Sequence, residues 1–141
     1  MFKTSLTIEW GDCDEAGIVF YPNYFYWLDS SFQRLLRARG LSQREVRKRF
    51  GAVTPIVQAH ADFKSPARYD DVLDIEVTVA LERERRFKVD YRFSTGGRLV
   101  GTGHEVRAWA LIDAEGGLKG AAVDPQFWAM LTAEDGTPKE S

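Results

Sequence analysis

The sequence predicts an α+β fold in which one curved antiparallel sheet wraps a single long central helix. Three observations predict it. The later two-thirds of the chain is dominated by segments that alternate apolar and polar residues with a period of two, as strands with one packed face do. One earlier segment carries apolar residues at helical spacing and is aromatic nearly all round over its front half, which suits a helix enclosed by other structure. The strands follow the helices in a run instead of alternating with them, which favours an α+β order over a parallel α/β one.

In chain order, "TSLTIEW" sets Leu6, Ile8 and Trp10 against Ser5, Thr7 and Glu9 and predicts the first strand. "YPNYFYWLDSSFQRLLRARG" carries Tyr24, Trp27, Leu28, Phe32, Leu35 and Leu36 three and four apart, with Pro22 near its start and Gly40 past its end. It predicts the long helix, with Arg34, Arg37 and Arg39 at the dipole's negative end. Ser42 and Glu45 form a capping-box pattern, with Leu41 and Val46 as its staple, and predict a short helix over 43–49. Its Arg44, Arg47, Lys48 and Arg49 then form a solvated face.

"TPIVQAHADF" predicts a strand over 54–63. "YDDVLDIEVTVALE" aligns Leu73, Ile75, Val77, Val79 and Leu81 on one face, and "RRFKVDYRFS" aligns Phe87, Val89, Tyr91 and Phe93. "GRLVGTGHEVRAWALID" reads as one further long strand, joined to its predecessor through a hairpin at "TGGR". A last helix falls around "DPQFWAMLT", so a single domain is expected over 1–131, with 132–141 a loose polar tail. The open edges of such a sheet call for pairing between subunits, and a homodimer assembling to a homotetramer is expected.

The chain has 141 residues, 44% hydrophobic and 13% aromatic, which is a globular composition and excludes a disordered one. A formal charge of −2 argues against a general nucleic-acid binder. "MFKTSLTIEW" lacks a signal peptide's apolar core and no apolar run has membrane-spanning length, so a cytoplasmic protein with no membrane partner is expected.

Chemistry concentrates in "GDCDEAGIVFYPNY". Cys13 lies between Asp12 and Asp14, which would raise its pKa and make it a poor nucleophile. His60 and His104 have no metal-ligand spacing, and no metal site is expected. For Asp12 and Asp14 two readings stand side by side: both cap turns before the helix, or one attacks an activated acyl carbon or deprotonates a water beside it. In the second reading the unpaired first-turn amides of the helix, those of Tyr21, Asn23 and Tyr24, polarise the carbonyl.

The stretch "GDCDEAGIVFYPNYFYWLD", followed in order by "TPIV" and "SPARYDDVLDIEV", resembles the 4-hydroxybenzoyl-CoA thioesterase family of hot-dog-fold enzymes. Its pattern is Asp, two residues, Gly, two apolar residues including Val, Tyr, one residue, Asn, Tyr, and the resemblance covers roughly residues 6–113. It implies a hot-dog fold and hydrolysis of an aromatic acyl-CoA, 4-hydroxybenzoyl-CoA foremost, with no cofactor beyond the CoA of the substrate.

By the same resemblance Asp14 is the catalytic carboxylate, the Tyr21 amide polarises the thioester carbonyl and Asp29 recognises the ring hydroxyl; a solvent-facing or subunit-boundary Asp29 is the alternative. Tyr24, Trp27, Thr54 and His60 line the pocket, or serve as core residues that would look the same. The basic turn "LERERRFKV" offers Arg83, Arg85, Arg86 and Lys88 to the CoA phosphates, Arg83 and Arg85 aligning best, with a solvated charged turn the alternative. A related branch acting on short aliphatic acyl-CoAs has histidine where this chain has Pro22, which favours the aromatic branch. Glu15 departs from the proline of the hydroxybenzoyl enzymes, so the acyl group stays open. Two rivals follow: a thioesterase for aliphatic or other aryl acyl-CoAs, and a non-catalytic acyl-CoA binding module.

Overall fold

The structure, a computed structural model, describes residues 1–133; most of the segment expected to form a loose tail lies outside the described residues. The elements run β1 (Phe2–Thr7), a 3-10 turn (Trp10–Asp12), α1 (Pro22–Ala38), α2 (Gln43–Phe50), β2 (Ala52–Val53), β3 (Ile56–Phe63), β4 (Val72–Arg83), β5 (Arg86–Thr95), β6 (Arg98–Ala108), β7 (Ala110–Ile112), β8 (Leu118–Gly120) and α3 (Pro125–Leu131). Strands β1-β4-β5-β6-β3 form an antiparallel five-stranded sheet with β3 at one edge, and β2-β7-β8 form a small three-stranded one.

Helix α1 lies on the inner face of the large sheet. Pro22 occupies its first turn, and the chain leaves it through Gly40, whose positive φ of 71° lets Leu41 donate back to the Leu36 carbonyl at 2.8 Å. Tyr24, Trp27, Leu28, Phe32, Leu35 and Leu36 are buried against Leu73, Ile75, Val77, Phe87, Val89, Tyr91 and Phe93. Burial of each large side chain of this set is worth about 1.5–3 kcal/mol. The helix start meets the ends of β3 and β5, Tyr24 packing on Phe63 and Phe93 at 5.2 and 5.6 Å between centroids, while Phe32 one stretch later meets Phe87 at 5.9 Å.

Two glycines of β6 permit this closeness. A Cβ on Gly103 would sit 3.0 Å from the His60 carbonyl oxygen and 3.1 Å from Leu28 Cδ2, so bare backbone is what lets α1 settle onto the strand. At Gly101 the added carbon would stand 2.5 Å from the Asp62 carbonyl oxygen, with no flexible atom able to yield.

Four expectations are corrected. The first strand ends at Thr7, because the Glu9 amide bonds to Asp12 Oδ2 at 2.8 Å and closes a turn that swings Trp10 out to 76% exposure, edge-on to Tyr69. The front of α1 is not buried all round: it packs on one sheet only, and Phe25 and Tyr26 on its outward side are exposed. Leu81 is exposed at the shifted end of the β4–β5 pair, where the ladder slips a residue before the turn. The long third strand divides at Trp109, whose amide donates to the Arg85 carbonyl and whose carbonyl accepts from Ala121, both at 3.0 Å; its indole is buried between Phe50 and Phe127, and the chain passes into the small sheet, which was not foreseen.

The two shorter helices follow their caps. Ser42 Oγ accepts from the Glu45 amide at 3.3 Å, and Asp124 Oδ1 from the Gln126 and Phe127 amides at 2.8 and 3.2 Å.

Two outcomes test this packing. Gly101→Ala should cost about 1–3 kcal/mol in urea denaturation, the usual penalty of overpacking. Burial, seconded by the Cys13 thiol, pushes the Tyr24 phenol up to about 12, with Arg98 and the Ala67 amide pulling the other way. Because the folded-state value exceeds the unfolded one, this stabilisation is complete below pH 10 and is lost as pH rises toward 12. Alkaline denaturation should therefore steepen in that window, and Tyr24→Phe should flatten it.

Candidate active site

The stretch from Asp12 to Phe20 forms a small hairpin placed against the start of α1. Cys13 and Val19 bridge, the Asp14 amide donates to Ile18 O at 2.9 Å, and Gly17 turns the chain with a φ of 76°. The Asp12 carbonyl accepts from the Phe20 amide and from Asn23 Nδ2, both at 2.9 Å, which fastens the hairpin to the helix. On its other side, Ile18 bridges to Arg68 and the Val19 amide donates to Ala67 O at 2.9 Å.

Between these parts opens a cleft of about 570 Å³. Ala16, Ile18 and Val19 form one wall, Tyr21 and Tyr24 the helix side, and Phe63 to Arg68 the remainder. At its helix end, the Asn23 and Tyr24 amides donate to Phe20 O and Tyr21 O at 3.0 and 3.1 Å and are not available to a ligand, which corrects the expectation for those two groups. The first turn closes on itself with three-residue spacing. The Tyr21 amide takes no such carbonyl among the described residues.

The two aspartates separate in role. Asp12 Oδ2 caps the 3-10 turn through the Glu9 amide. Asp14 is exposed; its Oδ1 accepts from the amide of Ala16, a cleft-wall residue, at 2.9 Å, and Oδ2 has no partner among the described residues. Its side chain does not itself line the cleft. Cys13 is half-buried, its thiol 3.8 Å from the Glu9 carbonyl oxygen.

The other candidates lie elsewhere in this single chain. Trp27 is a core residue, edge-on to Tyr24. His60 is exposed on the edge strand, stacked on His104 at 5.3 Å and 3.2 Å from Asp62 Oδ2. Arg83, Arg85, Arg86 and Lys88 cluster at the β4–β5 turn, beside Phe87 and thus at the opposite end of β5 from Phe93, roughly 20 Å from the helix start at strand rise. Lys88 is 3.6 Å from Asp90 there.

Asp29 and Thr54 join a polar cluster, buried at Glu105 and Arg107 and half-exposed at Asp29, that the sequence did not announce. Arg107, 3% exposed, donates to Asp29 Oδ1 at 2.8 Å, to the Thr54 carbonyl at 3.1 Å and to Glu105 Oε1 at 2.9 and 3.1 Å; Glu105 is 1% exposed. Tyr91 donates its hydroxyl to the same Glu105 oxygen. Burial pushes the Glu105 carboxyl up against the pull of Arg107 and Tyr91, and burial also raises Tyr91. For Arg107 burial works downward, but Glu105, Asp29 and Tyr91 together hold it above its usual range. The only advance signal was two charges, Glu105 and Arg107, on the strand face that also carries Gly101 and Gly103. The cleft residues Phe63, Lys64 and Arg68 were missed as well, since they come from the end of β3 and the loop after it, beyond the motif.

Chemically, a carbonyl seated at the helix start would meet a free amide and the positive end of a dipole, with a carboxylate carried by the neighbouring turn. Comparison with known proteins bears on the family and the fold. Residues 8–130 match the thioesterase-like superfamily. The chain is 40% identical over 115 residues to the 4-hydroxybenzoyl-CoA thioesterase of Pseudomonas sp. (strain CBS-3), covering 77% of this chain and 82% of that protein. It is 31% identical over 106 residues to a 1,4-dihydroxy-2-naphthoyl-CoA hydrolase of Synechococcus elongatus, covering 74% and 78%. Among solved structures it resembles an aspartate-to-asparagine variant of 4-hydroxybenzoyl-CoA thioesterase complexed with 4-hydroxybenzoyl-CoA, with a TM-score of 0.84 and 34% identity over 93% of this chain and 98% of that one. In sequence and in architecture alike, this chain belongs to the thioesterase-like superfamily and has its hot-dog fold.

Proposed function

We propose that this protein is an acyl-CoA thioesterase that hydrolyses an aryl thioester, 4-hydroxybenzoyl-CoA, to the free acid and CoA. The observation that carries the reading is Tyr21, a cleft residue whose amide has no partner among the described residues, with Asp14 on the turn that supplies the wall residue Ala16. The amide receives the oxyanion as the thioester carbon becomes tetrahedral. Asp14 attacks that carbon through its open oxygen, or takes a proton from the water that does; the C–S bond then breaks and the CoA thiolate leaves and is protonated, and on the first route water then cleaves the acyl–Asp14 anhydride, releasing the acid and restoring the carboxylate. Arg83, Arg85, Arg86 and Lys88 supply positive charge for the phosphates, at a remove that suits the long arm of CoA better than its acyl end. The relatives' names support the substrate class: each acts on an aromatic acyl-CoA bearing a hydroxyl.

A second copy of the chain belongs to this reading. Strand β3 pairs on one side only, and its edge and the outward face of α1 expose Ile56, Val57, Phe63 and Phe25. Asp29 lies eight residues after Tyr21, about 12 Å along the helix. Pairing of two such edges covers the apolar stripe and brings one copy's α1 beside the other's cleft, where Asp29 meets the acyl ring.

Asp14→Asn should lower turnover by about a hundredfold or more while leaving the fold intact, because asparagine Oδ1 can still accept from Ala16. Full turnover in that variant would remove Asp14 from the reaction. Thiol release from a panel of benzoyl, hydroxybenzoyl and short aliphatic CoA esters checks the class. An aliphatic preference would point to the aliphatic branch, and binding with no release to a non-catalytic module. Oxygen-18 from solvent entering Asp14 in a single turnover marks direct attack by the carboxylate. Light scattering should give at least twice the 16.0 kDa chain mass, and Val57→Lys should lower it.

A further inference from the structure

Arg107 is an unusual residue to find beneath the central helix. Its guanidinium is held on its edges by Glu105 and the Thr54 carbonyl, and on one face by the Phe32 ring, 4.2 Å from Cζ to centroid. Glu105 is fixed in turn by Tyr91, from the next strand. Buried ion pairs of this kind seldom stabilise a fold relative to apolar residues of equal size, so their retention calls for another explanation.

The explanation lies at the cluster's outer end. Arg107 Nη2 carries one more bond, at 2.8 Å, to Asp29 Oδ1, and Gln33 Nε2 donates to the same oxygen at 3.2 Å. Oδ2 takes no partner among the described residues, and the Asp29 side chain is 46% exposed. A planar fork anchored from below thus holds a surface carboxylate in one orientation, with one oxygen committed and one open. An exposed aspartate without that anchor would sample several rotamers and present no fixed acceptor.

We propose that Arg107, clamped by Glu105 and Tyr91, is a positioning residue: it orients Asp29 so that the open carboxylate oxygen accepts a hydrogen bond from the hydroxyl of a hydroxyaryl acyl group, and so sets a preference for hydroxylated over unsubstituted aryl thioesters. This rests on the thioesterase reading above, including Asp29 at the acyl ring, and adds to it the residue that orients Asp29. Among the described residues no hydrogen bond or ion pair joins the cluster to the hairpin carrying Asp14 or to the Tyr21 amide, so it acts on selectivity and not on bond breaking.

The test compares kcat/KM for 4-hydroxybenzoyl-CoA and benzoyl-CoA. Wild type should favour the hydroxylated ester by about tenfold to a hundredfold, the size of discrimination a half-solvated hydrogen-bonding site supports. Arg107→Lys, which keeps the charge and loses the fork, should remove most of that preference through a higher KM for the hydroxylated ester, with benzoyl-CoA unchanged within about twofold. Asp29→Asn should remove it too, and combining the two should shift the ratio no further. Tyr91→Phe, which leaves Arg107 in place, should lower the preference by about threefold and decides the matter if Arg107→Lys does not fold.

A folded Arg107→Lys, or failing that a folded Tyr91→Phe, that keeps the full preference overturns the proposal, as does a drop of both esters in parallel, which marks a merely structural role. Equal wild-type kcat/KM for the two esters overturns it while the thioesterase reading stands. Cleavage of neither ester removes that reading and this one with it.

Discussion

The contact on which the rest depends is the approach of α1 to bare backbone at Gly103. Leu28 sits where a side chain at Gly103 would stand, and the helix axis is thereby fixed relative to β3, β5 and β6. Everything functional is hung from the two sides of this helix. Its start projects past the sheet between Phe63 and the hairpin over Asp12 to Phe20, and its middle turn places Asp29 above Arg107. A shift of even an ångström would change both, because one rigid rod carries them.

The electrostatics divide along the same rod. At the start, an amide unpaired among the described residues and the helix dipole favour negative charge, and the Asp14 carboxylate on the neighbouring turn is held by its bond from the Ala16 amide. In the middle, two carboxylates converge on one guanidinium while a phenol braces the buried one, and the excess negative charge is directed outward to the half-exposed Asp29. The first region suits a charge that develops during a reaction. The second suits a neutral donor that must be recognised and then released.

Much of the architecture was legible in the sequence because its signals are periodic and local. Phe87, Val89, Tyr91 and Phe93 are buried as their alternation requires, and α1 begins at Pro22 and ends before Gly40. Asp14 and Tyr21 share a neighbourhood for the same local reason, seven residues apart around one hairpin. What was not legible depends on distant partners. The strand break at Trp109 has no glycine or proline to mark it and is made by Arg85, Ala121 and an aromatic pocket from two helices. Glu105 and Arg107 look like solvent-facing charges until Tyr91, Asp29 and Thr54 surround them. The Asn23 and Tyr24 amides seemed free only because a standard first turn leaves them so.

The division at Trp109 also bears on the basic turn, which lies at the end of β5 away from the cleft. That turn is tied down twice through its main chain: Trp109 bonds to the Arg85 carbonyl and Val123 to the Glu84 carbonyl, at 3.0 and 2.9 Å. Hairpin tips of this length ordinarily fray, and cations on a fraying tip must be ordered before they can grip anything. Here the scaffold is already stiff, so a polyanion that settles on Arg83 and Arg85 has only side-chain rotamers left to freeze.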